Sequence, residues 1–163
     1  MADAALENVA AAVLTACRGQ GLHLATAESC TGGMVAAALT DIAGSSDVVE
    51  RGFVTYSNAA KRELLGVPEA LLVAHGAVSS EVAAAMAAGA LGAAPVDLAV
   101  SITGIAGPGG ATPTKPVGLV WFGCGRRGGN IATEHHVFPG DRAAVRLAAT
   151  RRALELLLAA AQG

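Results

Sequence analysis

Apolar positions recur at helical spacing from Ala4 to Arg18, with Leu6, Val9, Val13 and Leu14 on one stripe and Gly19 to Gly21 closing the segment. The pattern predicts a first helix. LHLATA, residues 22–27, has the length and character of a short strand; ESCTGG then turns into a second helix from Met34 to Leu39, ended by AGSSD. Residues 51–57 are rich in Val, Phe, Thr and Tyr and predict a second strand, followed by a helix from Asn58 to Leu65 with Asn58 as its N-cap. Pro68 starts a short helix that ends near His75, and Ser79 or Ser80 caps an alanine-rich helix from Glu81 to Leu91. DLAVSITG, residues 97–104, is nearly all apolar before its polar end, as in a strand covered on both faces. After a loop from Ile105 to Pro116, VGLVWFGC and IATEHHVF form an antiparallel hairpin joined by GRRGGN. Gly140 and Asp141 open a last helix with Val145, Leu147, Leu154, Leu157 and Leu158 on its apolar face.

Helices alternating with strands, with one hairpin near the end, imply an α/β fold: a three-layer α/β/α sandwich around a mixed, mostly parallel sheet. The 163 residues fit one domain, 1–163, without repeat or linker. Ligands of such folds gather at the carboxyl ends of strands. That rule brings AESCTGG at 27–33, FVTYSNAAK at 53–61 and SITGIAGPGG at 101–110 to one rim.

Composition narrows the partners. With 53% hydrophobic and 15% charged residues the chain is not disordered, and no apolar run reaches bilayer length without interruption, so no membrane partner is expected. A formal charge of −2 leaves no basic field for nucleic acid. A small-molecule substrate is expected instead. Acidic residues stand where a signal peptide would carry basic ones, which predicts a cytoplasmic protein. Cys17, Cys30 and Cys124 are odd in number and widely spaced, as reduced thiols would be rather than a disulfide framework or zinc site. His135 and His136, adjacent on a strand, face opposite sides and cannot share a metal, so the expected site uses neither metal nor cofactor. Aromatic residues are only 3%, so Ala, Val and Leu build the core, and the alanine-rich apolar helices suit a homo-oligomer.

Three segments hold the candidate chemistry. Ser29, at a strand-to-helix turn with Glu28, Cys30, Thr31, Gly32 and Gly33, fits either a plain helix cap or a nucleophile beside amides that favour an anion. Cys30 is a second candidate nucleophile, but no histidine is placed to activate it. Lys61 and Lys115 are the only lysines; in a dry pocket Lys61 would be a base toward a hydroxyl, and on a wet helix face a solvated charge. SITGIAGPGG lacks the order of a P-loop or a dinucleotide fingerprint, yet Thr103, Gly104 and Gly107 suit a backbone cradle for phosphate or ribose oxygens. The GxGxxG string at Gly123 to Gly128 reads as a hairpin turn. Arg142 and Arg146, at i and i+4, form a positive stripe suited to a phosphate or carboxylate, with Arg146 the better fit to a solvated helix face.

Taken in order, ESCTGG, AGSSD, RGFVTYSNAAK, HGAVS, SITGIAGP, KPVG and GDRAAVR resemble the CinA C-terminal domain family, in its stand-alone nicotinamide-nucleotide amidohydrolase form, over roughly residues 4–160. The resemblance implies a five-stranded mixed sheet and metal-independent hydrolysis of nicotinamide mononucleotide to nicotinic acid mononucleotide and ammonia, in pyridine nucleotide salvage. It implies Ser29 as nucleophile, Lys61 as base, Tyr56 as a catalytic neighbour and Arg142 as a binding residue of the same pocket; the chemistry of that reaction adds Glu28, Cys30, Thr31, Gly32 and Gly33 of the turn, and Thr103, Gly104 and Gly107 at the ribose-phosphate end, as expected substrate-binding residues. Longer CinA proteins carry a further N-terminal domain, which this chain is expected to lack together with any coupled pyrophosphatase activity. The alternative is a nucleotide-binding regulatory module that uses the same loops without turnover.

Overall fold

The computed structural model describes residues 3–163; residues 1 and 2 of the expected domain lie outside them. Its elements are α1 (Ala4–Gln20), β1 (Leu24–Glu28), α2 (Met34–Thr40), β2 (Val49–Val54), α3 (Asn58–Leu65), α4 (Glu69–His75), α5 (Ser80–Ala93), β3 (Leu98–Gly104), β4 (Leu119–Arg126), β5 (Ala132–Val137) and α6 (Arg142–Gln162). The five strands form one sheet in the order β2-β1-β3-β4-β5. β1 pairs parallel with both β2 and β3, whereas β4 runs antiparallel to β3 and to β5. Four strands therefore share one direction and β4 alone opposes them, as the alternation of elements predicts.

Period-two alternation divides the strand side chains between two apolar layers. Leu24, Leu98, Val100 and Ile102 pack against α1, α2 and α6, with Val13, Leu14, Leu39, Leu154 and Leu157. Ala25, Ala27 and Ala99 face α3, α4 and α5, with Leu65, Leu72, Val82 and Met86. Small residues on this second face admit α5 very close to the sheet. The Ser101 hydroxyl donates to the Ala83 carbonyl at 2.6 Å, and a Cβ on Gly123 would lie 2.6 Å from that same carbonyl oxygen. Phe122, fully buried, fills the other face edge-on to Phe138, and its burial is worth about 2 kcal/mol.

Helix ends follow their local chemistry. Asp3 caps α1 and Asp141 caps α6, and Gly21 and Gly66 end α1 and α3 in the left-handed region. The N-cap of α3 is Ser57, whose hydroxyl accepts from the Ala60 amide; Asn58, expected in that place, is the first helical residue. β2 begins at Val49 rather than Arg51 and stops at Val54, leaving Tyr56 in the turn beyond the strand. Among the described residues no helix is long and apolar enough to cross a membrane.

Candidate active site

Three neighbouring strand ends meet at Ser29. Its amide donates to the Ile102 carbonyl of β3 at 2.9 Å, while the Thr55 amide, just past β2, donates to the Glu28 carbonyl at 2.8 Å. From Ser57 the chain enters α3, whose first turn carries Lys61 back over this junction. Lys61 is 2% exposed, and its Nζ lies 2.7 Å from the Thr55 carbonyl and 3.0 Å from Ser29 Oγ. Among the described residues it has no carboxylate partner. Burial disfavours the ammonium and pushes the amine down to about 8; the positive end of α3 acts in the same sense. In its neutral form the amine can donate to Thr55 and still direct a lone pair at the Ser29 hydroxyl.

The turn after Ser29 sends its polar groups to defined partners. The fully buried Glu28 carboxylate accepts from Thr31 Oγ1 at 2.7 Å and from the amides of Gly33, Val35 and Ala36 at 3.2, 2.9 and 3.0 Å. Glu28 thus occupies the N-terminus of α2 itself, in favourable alignment with the helix dipole. It turns inward instead of standing as a substrate ligand, and the amides that suited an outside anion are used. The Gly32 amide donates to Ser29 O and the Met34 amide to Thr31 O. Two turn amides remain without an acceptor among the described residues, those of Cys30 and Thr31.

Cys30 is 5% exposed and packs in the apolar layer under α6; burial pushes its thiol up to about 11, which leaves it protonated and inert. Arg146, expected on a solvated face, instead donates from Nε to the Cys30 carbonyl at 3.0 Å and from Nη2 to the Thr31 carbonyl at 3.3 Å. The i+4 spacing from Arg142 was the only signal for it in the sequence.

A cleft of about 260 Å³ opens over Ser29, lined by Cys30, Tyr56, Gly104 to Gly107, Gly109, Gly110 and Arg142. Tyr56 is 62% exposed, and its hydroxyl accepts from Arg142 Nη2 at 2.8 Å while Arg142 Nη1 donates to the Gly107 carbonyl at 2.8 Å. Arg142 also borders a second cleft of about 710 Å³ beside Ala106, Pro108, Val117, Gly140 and Arg146. Thr103, expected among the binding residues, faces the α5 side because of strand alternation. It is 1% exposed, and its hydroxyl donates to the Ala77 carbonyl at 2.9 Å. Gly32 and Gly33, both at positive φ, shape the turn without lining the cleft. Trp121 and His135 meet at a tilt on one face of the sheet, and His136 stacks on Phe138 on the other.

Known proteins match this chain over nearly its whole length. The sequence is 51% identical over 158 residues to a nicotinamide-nucleotide amidohydrolase PncC of Enterobacter agglomerans, covering 97% of this chain and 96% of the relative. It is 53% identical over 157 residues to the protein of that name from Escherichia coli strain K12, covering 96% and 95%. The crystal structure of the competence/damage inducible protein CihA from Agrobacterium tumefaciens superposes with a TM-score of 0.95 at 48% identity, covering 98% of this chain and 97% of that one. With residues 6–161 matching the CinA C-terminal domain, the chain belongs to that family.

Proposed function

We propose that the protein is an amidase that hydrolyses the carboxamide of nicotinamide mononucleotide to nicotinic acid mononucleotide and ammonia. The observation that carries this reading is the 3.0 Å approach of Ser29 Oγ to the amine of a lysine that is 2% exposed. Two relatives a little over half identical, named for that activity, supply the substrate. Neutral Lys61 takes the Ser29 proton as Oγ bonds to the carboxamide carbon, and the turn amides receive the oxyanion. As the C–N bond breaks, the Lys61 ammonium returns the proton to nitrogen and ammonia leaves. Water then attacks the acyl-enzyme, giving its proton to Lys61, which passes it to the departing Ser29 oxygen. Serine and lysine lie 32 residues apart, Ser29 in the turn after β1 and Lys61 on α3, unlike the SxxK pair of β-lactamases on one helix. Arg142 turns from Tyr56 and Gly107 to the substrate phosphate, and Gly104 and Gly107 bring backbone against the nucleotide. The reading places the protein in cytoplasmic pyridine nucleotide salvage and as a homo-oligomer, which sedimentation equilibrium checks.

Ammonia release from nicotinamide mononucleotide is expected to fall by about 10³-fold or more in Ser29→Ala and in Lys61→Ala, while calorimetric affinity of Ser29→Ala for the nucleotide stays close to wild type. Wild-type turnover in either variant sinks the dyad. A wild-type protein that binds the nucleotide without releasing ammonia is a regulatory module instead.

A further inference from the structure

The turn that carries Ser29 is gripped from two sides by opposite charges. Glu28 collects its Thr31 hydroxyl and the amides that follow, and Arg146, reaching in from α6, takes the carbonyls of Cys30 and Thr31. Gly32 stands between them at a φ of +58, and a Cβ there would come within 3.2 Å of Arg146 Nη2. Glycine leaves the guanidinium its place.

Within a trans peptide the C=O and N–H point in opposite directions. Fixing the Cys30 carbonyl on Arg146 therefore fixes the Thr31 N–H on the far side of the same plane, away from α6. The Thr31 amide has no acceptor among the described residues, and neither has that of Cys30, the residue that follows Ser29. Amides just past a nucleophile are where an oxyanion develops when its hydroxyl attacks a carbonyl. A guanidinium on the carbonyl also polarises the peptide and strengthens its N–H as a donor.

We infer that Arg146 is a positioning residue which, by clamping the Cys30 carbonyl, aims the Thr31 amide on the other side of that peptide at the oxyanion of the amidase reaction. The inference rests on the amidase reading above. Arg146 acts through the backbone, in contrast to Arg142, whose guanidinium borders the Ser29 cleft.

The test compares Arg146→Ala, Arg146→Gln and Arg146→Lys in the full chain. For Arg146→Ala and Arg146→Gln, kcat for ammonia release should fall by about 10- to 100-fold, less than the roughly 10²- to 10³-fold cost of removing an oxyanion donor outright because the amide is misaimed rather than lost, with KM within about threefold. Added guanidinium ion should restore part of the rate in Arg146→Ala. Amide NMR peaks of Cys30 and Thr31 should shift or broaden, while those of Val35 and Ala36, held by Glu28, stay in place. Arg146→Lys, which keeps the charge but not the fork, should be intermediate and carries the test if the alanine variant does not fold. An unchanged kcat overturns the inference, as does a rise in KM alone, which would make Arg146 a phosphate ligand. Loss of the Val35 and Ala36 peaks together with activity overturns it too, by reducing the role to fold maintenance. If the wild-type protein releases no ammonia, the amidase reading fails; the NMR comparison then judges the clamp alone, and unmoved Cys30 and Thr31 peaks reject it.

Discussion

A buried lysine amine held between a backbone carbonyl and a serine hydroxyl, with no carboxylate in reach, gives up its proton more readily than a solvated lysine. With Lys61 pushed to about 8 by burial, about one molecule in ten carries the neutral amine at pH 7. The ammonium cannot take the Ser29 proton, so kcat/KM for nicotinamide mononucleotide should rise about tenfold per pH unit below pH 8 and level off above it. Ammonia release measured from pH 6 to 9.5 checks this; a limb near the ordinary lysine value would mean that Lys61 is wet. At this scale the residue types were legible, because serine at a glycine-rich turn and one of two lysines stand out in an alanine-rich chain. Side-chain direction was not. Glu28 and Thr103 belong to the segments that build the site, yet strand alternation and an unfilled helix end turn the first inward and the second toward Ala77.

Among the elements, α3 depends most on its neighbour. It has only eight residues, too few to stand alone, and is kept by the Ser57 cap, the Gly66 terminus and contact with α5. The contact requires Gly89: a Cβ there would fall 1.9 Å from the Leu65 carbonyl oxygen. Gly89→Ala should therefore cost at least about 1–3 kcal/mol, as overpacking does, and should lower kcat as well, because displacing α3 moves Lys61 off Ser29. Gly92→Ala is the control; nothing lies within 4 Å of its Cβ position, and replacing a helical glycine should raise stability by up to about 1 kcal/mol. Thermal unfolding with parallel turnover assays checks both, and equal melting points for the pair would contradict the packing argument. Hydrophobic spacing and caps made the helices legible from Ala4 onward, with boundaries shifted by one or two residues. The meaning of Gly89 was hidden, since a glycine within a helical run looks like a weak point until the partner backbone is in place.

For the molecule as a whole, the order of strands explains why three loops converge: β2, β1 and β3 are neighbours, so their ends share one rim. Alternating elements made that rim predictable. They did not reveal that the last helix returns across it, joining Arg146 to Cys30 over 116 residues of sequence and Arg142 to Tyr56 over 86. Contacts of such separation leave no local pattern to read. The isolation of Lys61 has a consequence for how the activity is switched on. Its low proton affinity belongs to no pair of residues but to the dryness of the packed layers, so a chain still loose in its interior holds an ordinary charged lysine and an idle serine. Ammonia release in urea should therefore decay at or before the midpoint seen in Trp121 fluorescence, and activity that outlasts that signal would refute the coupling. Newly made or damaged copies would then lack hydrolytic power without any inhibitor, because proper packing is itself the activating step.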